Sequence, residues 1–311
     1  MNFHQILKFT FLVIALICTS FSAIAKEFKV GLVQINQQAL FFNQINKGAK
    51  IASDAADLEL FIFNANNDPA KQADAIETYI AQGVDALIVV AIDVNGVMPS
   101  VNDANAAGIT VIAVDAVLPE GPQIAQVGVD NILSGQLMAD HLINQLDDNQ
   151  KNIQIGIVGA LNSFTQNVRQ KGFEDGISSD ERIINVGVVD GRNVQDNALK
   201  AAENLIMANP GIDYIYATGE PALVGAIAAV ESQGRTDDIE LLGWDLTGEA
   251  IYGIDEGYVN AVIQQDPEGM GVAAIETLLK SVAGETIEYN VAVPITIVTK
   301  ENVHIYRELF K

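Results

Sequence analysis

Apolar residues along this chain follow two alternating rhythms. Phe28–Ile35 is a nearly continuous apolar run, then from Phe42 to Ala56 the apolar positions fall at helical spacing through Ile45, Ala49, Ala52 and Ala56, and Leu58–Phe63 is again continuous. Asn66-Asn67-Asp68-Pro69 supplies a capping acid and a proline at a helix start, with Ala73, Ile76, Tyr79 and Ile80 on one face and Gly83 to end it. Val84–Ala91 reads as a strand, Val97–Ala107 as a helix and Ile109–Asp115 as a strand. A strand covered on both faces loses the polar alternation of a half-exposed one, so strict alternation of apolar runs with helices predicts a parallel, doubly wound α/β sheet.

After a break near Gln126–Asn131 the rhythm restarts. Helices are predicted over Ile132–Leu146, Asn167–Ile177, Ala198–Met207 and Ala222–Gln233, with strands at Ile153–Val158, Ile183–Val189, Tyr214–Thr218 and Ile239–Asp245. Gln72–Val90 and Leu199–Ala217 share the order helix, turn, aspartate, strand, with Gly83-Val84-Asp85 opposite Gly211-Ile212-Asp213. The chain therefore reads as an internal duplication of one sheet-building unit. A strand at Val259–Ile263, a helix at Gly269–Val282 and a last strand at Val291–Thr299, interrupted by Pro294, exceed what the second unit needs. They predict a return to the first lobe and a further crossing.

The N-terminus changes where this fold is expected to work. Lys8 precedes an apolar run from Phe9 to Cys18, and Ser22-Ala23-Ile24-Ala25 then leads to Lys26, the pattern of a secretory signal at residues 1–25 cut after Ala25. Leu16 and Ile17 are too bulky for a lipoprotein box before Cys18. Cys18 is the only cysteine, so the mature chain has no thiol for a disulfide, a Cys-ligated metal, an iron–sulfur cluster or a nucleophile. Such a chain suits a domain held by its own core in an oxidising compartment.

Forty acids against 17 Lys and Arg give a formal charge of −23, and loss of Lys8 makes it one more negative. That field repels nucleic acid and anionic membranes. The acids are scattered among 49% apolar residues, which argues against disorder. Only His141 and His304 lie beyond the leader, and no H-E-x-x-H, G-x-S-x-G, P-loop or G-x-G-x-x-G after a strand occurs, so an enzyme is not expected. No metal or cofactor is expected either.

The candidate chemistry sits at two near copies, Val111–Asp115 and Leu241–Asp245, each an apolar strand ending in one carboxylate. In α/β sheets ligands bind beyond the carboxyl ends of the strands, so two such ends facing each other would make a cleft. The competing use for each aspartate is a helix cap or turn.

In this order, Phe41-Phe42, Asn66-Asn67-Asp68-Pro69, Asp115, Gly172-Phe173, Gly243-Trp244-Asp245 and Gln265-Asp266-Pro267 resemble the periplasmic sugar-binding proteins of the ribose/galactose type, solute receptors of bacterial ABC importers. The resemblance spans residues 27–300. It implies two Rossmann-like doubly wound lobes of the type I periplasmic binding protein fold, joined by three hinge crossovers. The lobes would comprise residues 26–128 plus 264–292 and residues 129–263 plus 293–311. No catalysis is implied; a monosaccharide is held by lobe closure and passed to an inner-membrane permease. A periplasmic sensor serving a chemoreceptor or histidine kinase would use the same closure. A sugar offers hydroxyls around its edge and C–H patches on its faces, which calls for charged hydrogen-bonding groups and aromatic faces.

Carried over, the ligand-binding set is Gln38, Phe41, Phe42, Asp115, Asn167, Arg169, Glu220, Asp245 and Gln265. Phe41, Phe42 and Trp244 have core packing as their competing use. An arginine of the ribose pattern falls at Asn167 and a neighbouring arginine at Arg169; the arginine after the first aspartate is Ala116 here, and an asparagine is replaced by Gly219 with Glu220 beside it. The implied ligand is therefore not ribose bound in the ribose manner.

Overall fold

The structure, a computed structural model, describes residues 28–37, 40–147 and 149–310, so the leader and Gln38 lie outside the described residues. The first unit runs β1 (Lys29–Gln34), α1 (Leu40–Ala55), β2 (Glu59–Asn64), α2 (Pro69–Gln82), β3 (Ala86–Val89), α3 (Met98–Ala106), β4 (Thr110–Val114) and β5 (Ala125–Gly128). The second runs α4 (Asn131–Gln145), β6 (Ile153–Gly159), α5 (Phe164–Ile177), β7 (Ile183–Asp190), α6 (Gln195–Ala208), β8 (Tyr214–Ala217), α7 (Glu220–Ser232), β9 (Glu240–Trp244), α8 (Gly248–Glu256) and β10 (Val259–Gln264). The chain closes with α9 (Pro267–Val282), β11 (Asn290–Ala292), β12 (Thr296–Val298) and two short 3-10 helices, Val303–Ile305 and Arg307–Phe310.

The strands form two six-stranded sheets, β11-β5-β4-β3-β1-β2 and β12-β10-β9-β8-β6-β7. Every neighbouring pair is parallel except β12 against β10. Without the two late edge strands, both sheets have the same order, which is the duplication made visible. It extends to side chains: Asp85 accepts from the Lys29 backbone N–H at 2.9 Å and Asp213 from that of Gln154 at 2.7 Å, each acid tying the turn before one strand to the start of the first strand of its sheet.

Both faces of both sheets are covered. Leu32, Ile88 and Ile112 pack against Ile45 of α1 and Met270 and Ile275 of α9, while Val33, Leu87 and Val111 pack against Ile76 of α2 and Val101 of α3. In the second sheet, Ile155, Ile157 and Leu242 face Met138 and Leu142 of α4 and Phe173 of α5; Ile215 and Leu241 face Leu205, Leu223 and Ile254. Each lobe also has one helix pair whose backbones meet. A Cβ at Gly48 or Gly271 would overlap the carbonyl of Glu268 or Ile45, and one at Gly135 or Gly172 the carbonyl of Arg169 or Ile132. The α4–α5 crossing thus fixes the backbone that carries Arg169.

The signals at Asp68-Pro69 and Gly83 operate as expected. Asp68 caps α2 by accepting from Ala70 and Lys71, Pro69 is the first helical residue, and Gly83 ends the helix at φ 66°. Two expectations are corrected, and one stretch with no predicted element is a helix. The break near Gln126–Asn131 overlaps β5, a four-residue strand that pairs with β4 and β11. The stretch between the expected strands at Ile239–Asp245 and Val259–Ile263 folds as α8, capped by Thr247 and ended by Gly257 at φ 97°. The expected strand Val291–Thr299 is two strands in different sheets, β11 beside β5 and β12 beside β10, with Pro294 in the crossing between them.

Candidate ligand-binding site

Asp115 and Asp245 occupy the residue just past β4 and just past β9, equivalent places in the two sheets. Both adopt left-handed backbone, φ 66° and 58°, which short polar side chains tolerate better than other residues. Each donates its backbone N–H to the next strand, Asp115 to Val127 at 2.9 Å and Asp245 to Ile263 at 2.8 Å. Neither caps a helix; the chain turns at both so that its last residue points off the sheet edge.

The two acids line one cavity of about 640 Å³, together with Phe41 and Phe42 from the start of α1, Thr165, Gln166 and Arg169 from α5, Glu220 from α7, and Gln265 beyond β10. The described site residues thus come together, with one exception. Asn167 is absent from the lining, and its side-chain amide donates to the Leu161 carbonyl at 3.1 Å. The reason is helical geometry: residues two apart on a helix point to different sides, so Asn167 and Arg169 cannot both face the cavity, whereas 165, 166 and 169 can. Arg169 is the guanidinium that lines the cavity.

Phe41 and Phe42 do both things weighed for them. Their rings meet edge to face at 5.3 Å between centroids; they border the cavity and also pack half-buried against the core of the first lobe. Trp244 does only one. It is fully buried, donates its indole N–H to the Tyr216 hydroxyl at 2.7 Å, and lies under Arg169, whose guanidinium carbon sits 3.8 Å from the ring centroid. Tyr216 stacks in turn on Phe173 at 4.0 Å. This aromatic column holds the guanidinium plane by cation–π attraction and packing.

Arg169 is itself buried. Its Nε donates to Asn131 Oδ1 at 2.8 Å and its Nη1 to the Thr218 carbonyl at 3.3 Å. Burial pulls its pKa down, while Asp245, Tyr216 and Asp115 pull it back up. Burial pushes the Asp115 carboxyl up to about 6; Arg169 opposes the rise and Asp245 adds to it. Asp245 is also raised, by burial, against the pull of Arg169 and of Gln265, whose Nε2 reaches both carboxylate oxygens at 2.9 and 3.1 Å. Glu220, solvent-exposed at the edge of the cavity, is raised by partial desolvation there and by Asp245 and Glu249. A carboxylate that burial holds above its ordinary pKa is poorly solvated in its ionised form, and donors from a ligand rich in hydroxyls would favour that form.

Several lining residues were not foreseen from sequence. Gln166 donates to Asn193 Oδ1 at 2.7 Å and accepts from the Thr218 hydroxyl at 2.8 Å, tying α5 to the ends of two strands. Its three-residue spacing from Arg169 was the available signal. Phe164, 71% exposed, borders a smaller cavity of about 300 Å³ that shares Asp115 and runs along the crossing strands. Phe310 reaches the larger cavity from the C-terminal 3-10 helix, a placement with no local sequence signal.

A family model for the periplasmic binding protein domain matches residues 30–286. The ribose import binding protein of Bacillus subtilis is 28% identical over 277 residues, covering 89% of this chain and 88% of that protein. A putative rhizopine-binding protein of Rhizobium meliloti is 30% identical over 260 residues, covering 80% and 82%. Among solved structures, an ABC transporter periplasmic solute-binding protein of Actinobacillus succinogenes, with bound D-allose, is 25% identical with a TM-score of 0.78, over 90% of this chain and all of that one. These relatives are binding proteins rather than enzymes. The family model covers β1 from Val30 through β10, five strands of each sheet, and both strand-end acids, and the chain belongs to the periplasmic binding protein family, with its type I two-lobed fold.

Proposed function

We propose that the chain from Lys26 onward is the receptor that captures a monosaccharide and delivers it to the permease of an ABC importer in the inner membrane. Residues 1–25 act as the cleaved signal, and the lobes are residues 26–128 plus 264–292 and residues 129–263 plus 293–311. The observation that carries the reading is the pair Asp115 and Asp245, equivalent strand ends of the two sheets, in one cavity with Phe41, Phe42 and Arg169. Aromatic faces from the first lobe and a charged, hydrogen-bonding set from the second match the two chemistries of a sugar ring. The names of the relatives, which cite ribose import and a structure with D-allose, agree with that class of ligand.

Closure follows from where the site is split. A ligand touching both lobes stabilises only the arrangement in which they meet, and that differential affinity moves the equilibrium. The crossings near residues 126–131, 263–267 and 291–294 absorb the dihedral change. Small-angle scattering of the mature protein against a monosaccharide panel tests this. The true ligand lowers the radius of gyration and, at a hundredfold excess over Kd, adds about 2.7 kcal/mol of stability, read as a higher melting point. A panel that includes pentoses, hexoses and polyols and produces neither effect would refute the reading.

A further inference from the structure

Among the described residues, four charged side chains line this cavity: Asp115, Asp245, Glu220 and Arg169, three carboxylates to one guanidinium. Their partners are unequal. Gln265 serves both oxygens of Asp245, and Arg169 directs Nε and Nη1 to the neutral groups of Asn131 and Thr218. The carboxylates of Asp115 and Glu220 accept no hydrogen bond among the described residues. Arg169 opposes the rise of both aspartates, and no ion pair or hydrogen bond to Glu220 is found among the described residues, where Asp245 and Glu249 add to its rise. Glu220 is therefore the acid with the least positive compensation, relieved only by its place in the first turn of α7.

Closing a cleft around such a set costs free energy that hydroxyl donors on a bound molecule offset in part and that a positive charge on it offsets further. A metal ion is a poor answer: among the described residues no group of three or more His, Cys, Asp or Glu is placed to hold one. An anionic ligand, such as a sugar phosphate or sugar acid, would worsen the imbalance. Resting on the polyol-receptor reading above, we propose that the ligand is a hydroxylated molecule carrying a cationic amine, an amino sugar or amino polyol, and that its ammonium pairs with Glu220. The hydroxyls then meet Asp115, Asp245 and Arg169, and the ring face meets Phe41 and Phe42.

Titration calorimetry of the mature protein with matched pairs tests this: D-glucosamine against D-glucose, D-galactosamine against D-galactose, and 1-amino-1-deoxysorbitol against sorbitol. The expected result is that, in at least one pair, the amine binds at least about tenfold tighter than its neutral partner, the scale of one added charge-assisted hydrogen bond. N-acetylation, which keeps the nitrogen and removes the charge, should erase the preference, and Glu220→Gln should cut it to about threefold or less. Glu220 lies exposed at a helix start, and a melting curve checks that the variant is folded. Neutral partners binding as tightly as the amines, or a preference that Glu220→Gln leaves intact, would overturn the inference while leaving the receptor reading in place. No binding by any of the six compounds would overturn the inference alone, because the receptor reading is judged on the wider panel that includes pentoses.

Discussion

Protonation of Asp115 should weaken ligand binding, and the structure sets the size of the effect. The carboxyl is pushed up to about 6 by burial. Hydroxyl or ammonium donors on a ligand favour its ionised form, so its pKa is lower in the complex than in the free protein, and binding expels a proton. Affinity therefore rises with pH through about 6 and levels off above it. With a free-state pKa near 6, about nine-tenths of the protein carries a protonated Asp115 at pH 5 and almost none does at pH 7.5. If only the carboxylate binds, the apparent Kd rises by about tenfold, or ~1.4 kcal/mol, between pH 7.5 and pH 5. Asp245 and Glu220 face the same cavity and are raised as well, so they steepen the dependence, while Arg169 stays cationic throughout.

The unliganded fold has the opposite dependence. A carboxyl whose folded pKa lies above its unfolded value binds its proton better in the folded state, so the Asp115 contribution to stability declines as pH climbs from about 4 to 6. The melting-point gain from ligand should accordingly be larger at pH 7.5 than at pH 5. Calorimetry at pH 5, 6 and 7.5, with the tightest sugar of the panel and in two buffers of different ionisation enthalpy, measures both affinity and proton release. Release of about half a proton is expected at pH 6. Asp115→Asn should bind more weakly and show a flatter profile. Affinity that is constant from pH 5 to 7.5, or tighter at pH 5, would refute the assignment of Asp115 as an ionised acceptor.

Asp245→Ala should weaken binding by about 2–3 kcal/mol, the scale of a lost hydrogen bond to a charged group, and unchanged affinity by calorimetry would remove it from the site. Gly172→Ala places a methyl against the Ile132 carbonyl and should lower stability by about 1–3 kcal/mol, read from the midpoint of a urea denaturation curve. Trp244→Phe removes the donor to Tyr216 and weakens the surface under Arg169; a loss of about 1–2 kcal/mol in stability is expected, and a melting point equal to wild type would discount the column. Intact-mass analysis of the secreted protein should find a chain that begins at Lys26.

The βα alternation was legible because strands covered on both sides must be apolar throughout, and that signal is strong in runs such as Val111–Val114 and Leu241–Leu242. The failures fall where an element is short or shared. β5 has four residues, among them Gln126, whose side chain bonds to the backbone of Leu118 rather than to water, so it read as a polar break. β11 and β12 have three residues each, and nothing local says that one apolar stretch serves two sheets. Asp115 and Asp245 could be found because a carboxylate that ends an apolar run needs a reason to be there. Asn167 was set beside Arg169 by matching positions along the chain, a comparison blind to the direction in which a helix points its side chains. Gln166 and Phe310 depend on tertiary placement.

The duplication gives a physical reason for the ligand-driven closure proposed above. Copying one sheet puts the same left-handed aspartate at the mouth of each lobe, and a symmetric pair would bring two like charges together as the lobes meet; Asp245 already helps to hold Asp115 above its ordinary pKa. The chain breaks the symmetry on the helix that follows the first strand of each unit. In α1 that helix begins with Phe41 and Phe42, an apolar face; in α5 it carries Thr165, Gln166 and Arg169, a polar one. A single guanidinium, anchored on Trp244 and committed to Asn131 and Thr218, offsets only part of the negative charge. Empty closure therefore retains a repulsion that donors on a bound molecule remove, so the charge imbalance itself links closure to occupancy.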